Sequence, residues 1–133
     1  VGAPVVARWW VCVAGEAAGG CHLAGAVWVY SLPEGRPRPA VYVRKEQKDH
    51  GCRRWVEGDR SIRPGMPVVI LEDVITTGGS TLKAAEKLRE AGLHVVGVVA
   101  LVDRQEGGVQ ALQGAGLPVV SIASRSDFIP DAG

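Results

Sequence analysis

The stretch Val68-Val69-Ile70-Leu71-Glu72-Asp73-Val74-Ile75-Thr76-Thr77-Gly78-Gly79-Ser80-Thr81 decides the fold. Its first four residues are apolar without alternation, the pattern of a strand covered on both faces, as in parallel sheets sandwiched by helices. Two carboxylates follow, then a run of hydroxyl residues and glycines. Downstream, Ala84, Ala85, Leu88 and Ala91 recur at helical spacing, Lys83, Glu86, Lys87, Arg89 and Glu90 fall largely outside that stripe, and Gly92 stands where a C-terminal cap belongs. The segment therefore reads as strand, loop and helix. Hydroxyls of Thr76, Thr77, Ser80 and Thr81, with backbone N–H groups freed by Gly78 and Gly79, can surround an anion at the positive end of that helix. Glu72 and Asp73 would repel a phosphate unless they serve sugar hydroxyls or a bound magnesium ion. No G-x-x-x-x-G-K-[ST] run and no G-x-G-x-x-G after a strand is present, which disfavours nucleoside triphosphates and dinucleotides as ligands.

Outward from this segment the same alternation continues. Val95–Val102 reads as the next buried strand, Val109–Ala115 as a shorter helix, and Pro118–Ile122 as a last strand before a polar tail. Upstream, Trp9–Ala14 reads as a strand running into a glycine-rich loop, Gly15–Gly20, after which Leu23, Ala24, Val27 and Trp28 fall near helical spacing. Pro33, Gly35, Pro37 and Pro39 interrupt regular structure, Ala40–Val43 is the next strand, and Arg63-Pro64-Gly65 signals a turn. From Arg44 to Asp59 the chain is charged and lacks apolar periodicity, which predicts a long mobile loop, of a length that marks either a functional lid or a disordered segment. The order predicts an α/β fold: a parallel, twisted sheet flanked by helices, with ligands at the C-terminal ends of its strands.

The 133 residues fit one domain spanning 1–133, and 47% apolar with 22% charged residues is the composition of a folded, soluble protein. A net charge of +1 provides no global field for a nucleic-acid backbone. Cys12, Cys21 and Cys52 are odd in number and lack C-x-x-C spacing, which argues against a disulfide framework or a zinc site and for a reduced, cytoplasmic compartment. No run approaches the roughly 18 apolar residues of a membrane span, and no signal-peptide pattern opens the chain, so no membrane partner is expected. His22 and His94 lack ligand spacing and receive no role. Adjacent Trp9 and Trp10 would point to opposite faces of a strand, one to a core or interface.

Glu72–Thr81 closely resembles the signature of the type I phosphoribosyltransferases, a hydrophobic strand, two acidic residues and a Thr/Gly/Ser loop. The resemblance implies that Thr76, Thr77, Gly78, Gly79, Ser80 and Thr81 hold the 5-phosphate of phosphoribosyl pyrophosphate (PRPP), and that Glu72 and Asp73 contact the ribose hydroxyls. It implies Mg2+ held mainly by PRPP, with Asp73 reaching it through water and no direct protein ligand. Within the family, Arg44-Lys45-Glu46-Gln47-Lys48-Asp49-His50-Gly51 resembles the R-K-x-x-K-x-H-G lid of the orotate phosphoribosyltransferases. This implies Lys48 as the main catalytic lysine, with Arg44, Lys45 and His50 adding positive charge for the leaving pyrophosphate, and a homodimer in which the lid reaches the neighbouring site.

Gly15–Gly20 resembles the family's pyrophosphate loop, with Gly19 and Gly20 offering close backbone approach, although Glu16 adds negative charge and some members carry a lysine where Gly19 stands. Asp103-Arg104-Gln105-Glu106-Gly107-Gly108 resembles the D-R-x-E element, which implies that Arg104 pairs with the orotate carboxylate and that Thr76 touches the base. The plainer readings are a capped strand–helix turn, a solvated basic loop and an ion-paired Arg104. The expected activity is transfer of ribosyl phosphate from PRPP to orotate, giving orotidine 5′-monophosphate and pyrophosphate in UMP biosynthesis. A purine phosphoribosyltransferase would need neither the lid pattern nor the Arg104 element, and a non-catalytic PRPP-binding regulatory module is the third reading. Because the family carries an N-terminal hood over the base and this chain opens at Val1 on a strand-like run, it is expected to be a core without that hood.

Overall fold

The computed structural model describes residues 12–33, 35, 39–44, 56–58 and 62–130. Its strands are β1 (Cys12–Glu16), β2 (Ala40–Val43), β3 (Val56–Gly58), β4 (Pro67–Ile75), β5 (His94–Asp103) and β6 (Val119–Ser124); its helices are α1 (Ala17–Ser31), α2 (Gly79–Glu90), α3 (Gly108–Gly114) and α4 (Arg125–Phe128). The strands form one sheet in the order β3-β2-β1-β4-β5-β6. Every pairing is parallel except that of β3 with β2.

Alternation along β4 explains the layering. Val68 and Ile70 face a large core with Ala84, Ala85 and Leu88 of α2 and Leu112 of α3, whereas Val69 and Leu71 meet Ala24 of α1 and Ala40 on the other side. An unbroken apolar strand is thus what a sheet with helices on both faces demands, as expected from Val68–Leu71. Arg63–Met66 forms a turn with Gly65 at φ 82° and Met66 N–H donating to Arg63 O at 3.2 Å, and Gly65 N–H donates to Gly92 O at 2.7 Å. Gly92, at φ 88°, ends α2 as predicted; Ala91 is its exposed C-cap instead of part of the buried stripe.

Four local expectations change. The glycines at 19 and 20 lie in α1, which begins at Ala17 directly after β1, not in a loop. The stripe Leu23, Ala24, Val27, Trp28 does pack on the sheet, and its burial outweighs the weak helix propensity of the glycines. Inside the charged segment after Arg44, Val56–Gly58 pairs antiparallel with β2, so that segment is not all loop. Strand β4 runs on through Glu72 and Asp73 to Ile75, because Glu72 pairs with Ala100 and Ile75 with Asp103 along β5. The polar tail contains the short helix α4. Trp9 and Trp10 lie outside the described residues. Among the described residues no helix is long and apolar enough to cross a membrane.

Candidate active site

The order of strands defines a crevice. From β1 the chain passes through α1 to β2 on one side, and it later returns to place β4 on the other side of β1. Ligands in open α/β sheets bind outside the carboxyl ends of the strands at such a switch point. Here that point is flanked by the start of α1 and by the segment Asp73–Ser80.

Two residues meet across it. Asp73 is exposed on β4, its Oδ1 accepts the Val74 N–H at 2.7 Å, and its carboxylate lies against Gly19 so closely that a Cβ on Gly19 would collide with it. Gly19 leaves room for the Asp73 carboxylate, which would have to rotate away from any side chain at position 19. Gly20 is buried in the same turn of α1.

Beyond Asp73, Thr76–Gly78 turns the chain into α2. Gly78 is the N-cap at φ 84°, no side chain caps the helix, and Leu82 N–H donates to Gly78 O at 3.0 Å. The first amides of α2 are thus left to an external acceptor, the arrangement of an anion site at a helix N-terminus. Thr77, Gly79 and Ser80 are exposed around this end, and Thr76 is half-buried. Thr81 is turned inward, 2% exposed, and donates its hydroxyl to Glu72 Oε1 at 3.0 Å. Glu72 is itself 5% exposed. Of the acidic pair, then, Asp73 is presented at the sheet edge while Glu72 braces α2 from below through Thr81. The sequence could not separate these two carboxylates; alternation along β4 does.

The loop is backed by residues that sequence reasoning had not assigned. Gly108, buried at the start of α3, donates its N–H to Thr76 O at 3.0 Å. A Cβ on Gly108 would stand 2.5 Å from Thr76 O and from Ile75 Cγ2, and one on Gly78 would stand 3.0 Å from Gly108 O. Two glycine backbones thus touch where any larger residue would force them apart. The only available sequence signal was the doubled glycine at Gly107-Gly108.

Arg104 follows β5 at the same edge. Its N–H donates to Ile75 O at 3.0 Å, and its guanidinium pairs with Glu106 at 3.3 Å in a half-exposed ion pair. A cavity of about 430 Å³ is lined by Val102, Arg104, Glu106, Arg125, Phe128 and Ile129. Arg44, half-buried after β2, has its carbonyl held by Lys87 Nζ of α2 at 2.7 Å. Lys45, Lys48 and His50 lie outside the described residues. Among the described residues no group of three or more His, Cys, Asp or Glu side chains is placed to hold a metal ion.

Residues 8–114 match the phosphoribosyl transferase domain family. The chain belongs to that family. A curated relative, the orotate phosphoribosyltransferase of Sorangium cellulosum (strain So ce56), is 71% identical over 119 residues, covering 90% of this chain and 62% of that protein. The crystal structure of Mycobacterium tuberculosis H37Rv orotate phosphoribosyltransferase in complex with Fe(III) dicitrate superposes with a TM-score of 0.79 at 35% identity, over 93% of this chain and 69% of that one. The structure of the same enzyme in complex with PRPP gives 0.76 at 33% identity, over 92% and 68%. This phosphoribosyltransferase chain spans about three-fifths of the length of the curated relatives it matches. The parallel sheet flanked by helices that the sequence predicts is the sheet observed, and it is the fold of these neighbours.

Proposed function

We propose that the protein is an orotate phosphoribosyltransferase, transferring the ribosyl phosphate of PRPP to orotate to give orotidine 5′-monophosphate and pyrophosphate, a step of UMP biosynthesis in the cytoplasm. The observation that carries the reading is the juxtaposition, at one sheet edge, of an uncapped helix N-terminus, an exposed carboxylate and an arginine from adjacent strands. In this reading the 5-phosphate sits on the first amides of α2 among Thr77, Gly79 and Ser80. Asp73 accepts from the ribose hydroxyls, and the diphosphate lies in the crevice flanked by the start of α1 at Gly19 and Gly20. Arg104 gives the orotate carboxylate a planar pair of donors. Thr76 lies between the phosphate and base sides of the site and contacts the base.

The bond from C1 to the pyrophosphate oxygen breaks as the bond from C1 to the orotate nitrogen forms, through a state with oxocarbenium character. The chain's task is orientation and charge. Lys48, with Arg44, Lys45 and His50, stabilises the departing pyrophosphate, and these groups reach the neighbouring site of a homodimer. Asp73, a single exposed carboxylate, fits Mg2+ held chiefly by substrate phosphates and bridged to the protein by water, since magnesium commonly takes one or two carboxylates and keeps several waters. When bound, the ion neutralises charge on the diphosphate.

The test is base consumption with PRPP and Mg2+, offered orotate, adenine or hypoxanthine in turn. Orotate alone should be consumed. Turnover with a purine and none with orotate would replace this reading by a purine phosphoribosyltransferase, and PRPP binding without turnover of any base would leave a regulatory module. Lys48→Ala should lower kcat at least 100-fold with little change in PRPP affinity, the magnitude typical of removing one preorganised donor.

A further inference from the structure

Gln105 is the one non-glycine among the described residues with a left-handed backbone, at φ 60°. Such a conformation is disfavoured for residues with a Cβ and persists where surrounding contacts over-determine it; it often marks a functional constraint. The contacts here are specific. Gln105 N–H donates to Asp103 Oδ1 at 2.8 Å, which folds the loop back on the end of β5. The Gln105 side-chain oxygen accepts the Ser126 N–H at 3.1 Å, across 21 residues of sequence. That amide belongs to the first turn of α4, where no intrahelical acceptor exists. Ser124 and Asp127 form a capping box in which Asp127 Oδ2 takes the Ser124 N–H at 2.6 Å, and Gln105 adds a partner for the Ser126 N–H.

The consequence lies one residue away. Arg104 is anchored by its N–H to Ile75 O, and the clasp immediately after it fixes where its side chain leaves the backbone. The same clasp ties α4 to this loop, and α4 brings Arg125 and Phe128 to the cavity that Arg104 and Glu106 line from the other side. Two guanidiniums, one carboxylate and an aromatic ring suit a flat, anionic ring compound.

We infer that Gln105 is a positioning residue: its side-chain clasp on Ser126 holds the Arg104 loop against α4, so that Arg104 and Arg125 face one cavity together. This rests on the proposed orotate reading and deepens it, because Gln105 touches no substrate and acts through Arg104. A hydrogen bond from a neutral side chain, lost from a site that still folds, changes affinity about five- to tenfold.

The variants separate backbone from clasp. Gln105→Gly keeps the left-handed backbone without penalty and removes the side chain; Gln105→Ala removes the side chain and retains the penalty; Gln105→Glu keeps an oxygen acceptor for Ser126. In the full chain with PRPP and Mg2+, Gln105→Gly and Gln105→Ala should raise KM for orotate about five- to tenfold. KM for PRPP should stay within twofold, and Gln105→Glu, which keeps the acceptor but adds a negative charge beside Glu106, should rescue part of the loss. Amide exchange at Ser126 should accelerate in the first two variants and not in the third. If wild-type protein turns over orotate and both variants match it, or if KM for PRPP rises in step with KM for orotate, the positioning role is wrong while the orotate reading stands. Unchanged Ser126 exchange in Gln105→Gly removes the clasp itself. If the wild-type chain neither binds nor turns over orotate, the functional reading fails, and this role fails with it.

Discussion

Two loops leave adjacent parallel strands at the same edge of the sheet and enter helices of the same face, yet they are built on opposite principles. Thr76–Gly78, after β4, and Arg104–Gly107, after β5, both end on a left-handed glycine N-cap, Gly78 at φ 84° and Gly107 at φ 89°, with no side chain capping the helix. The first is held by packed backbone: Gly78 against Gly108, and Thr76 O on the Gly108 N–H. The second is held by side chains at the surface, with an ion pair from Arg104 to Glu106 and a clasp from Gln105 to Ser126. A site that must surround a phosphate of invariant shape gains from rigid amides; a site that must admit and release a base gains from contacts that can be exchanged. On the proposed reading, the difference assigns invariance to one half of the crevice and selectivity to the other.

The sharpest way to break this comparison is Gly108→Ala. Helix propensity alone would make the change stabilising by about 1 kcal/mol. The added Cβ, 2.5 Å from Thr76 O and Ile75 Cγ2, must instead push Thr76–Gly78 away from α3. Net destabilisation of about 2–3 kcal/mol is expected, as for overpacking of a close-packed site, together with a loss of PRPP affinity of roughly tenfold or more. Urea unfolding and calorimetry with PRPP measure the two. Gly107→Ala is the control, since nothing lies within 4 Å of its Cβ position; it should cost only the left-handed penalty of about 1–2 kcal/mol and leave PRPP affinity alone. A stabilised Gly108→Ala protein with wild-type affinity would show that the two loops do not lean on each other.

Thr81→Val tests the rigid half from beneath. It removes the hydroxyl that donates to the buried Glu72 and should cost about 1–3 kcal/mol, the usual consequence of taking one donor from a buried charged acceptor, with Thr81→Ser restoring most of it. Because the Thr81 hydroxyl points inward while Thr77 and Ser80 are exposed, PRPP affinity should fall less in Thr81→Val than in Ser80→Ala, compared by calorimetry on both proteins. The reverse ranking would put the Thr81 hydroxyl on the ligand.

Much of the rigid half was legible in the sequence, and little of the adaptable half. Val68–Leu71 could hardly be read as anything but a buried strand, and the acidic and hydroxyl residues after it carried the proposal of an anion site in their composition. What composition could not tell was which carboxylate faced which way; that follows from the register of β4 with β5, a long-range property. Helix α1 was under-read because Gly15–Gly20 signals a loop locally, and only packing of Ala24 against Val69 and Leu71 overrides it. Strand β3 escaped because three residues in a charged stretch carry no period. Arg104 was visible as a charged residue at a strand end. Its partners were not: the conformation of Gln105 and its bond to Ser126 depend on a helix 21 residues away.

The smallest effect is expected at Glu106→Gln, and its sign is informative. The pair with Arg104 is exposed on both sides, 54% and 42%, so its loss should change stability by no more than about 0.5 kcal/mol. For the ligand the argument runs the other way. Glu106 competes for the guanidinium that the base carboxylate is proposed to take, and its charge also repels that carboxylate across the cavity. Neutralising it should therefore tighten orotate binding about two- to threefold at low salt, with the gain fading as added salt screens both interactions. Titration of orotate onto the PRPP-bound protein at two ionic strengths reads this directly. Weaker binding in Glu106→Gln would mean that the carboxylate orients Arg104 for the ligand instead of competing with it, and the side-chain-held loop would then be as preorganised as its glycine-built neighbour.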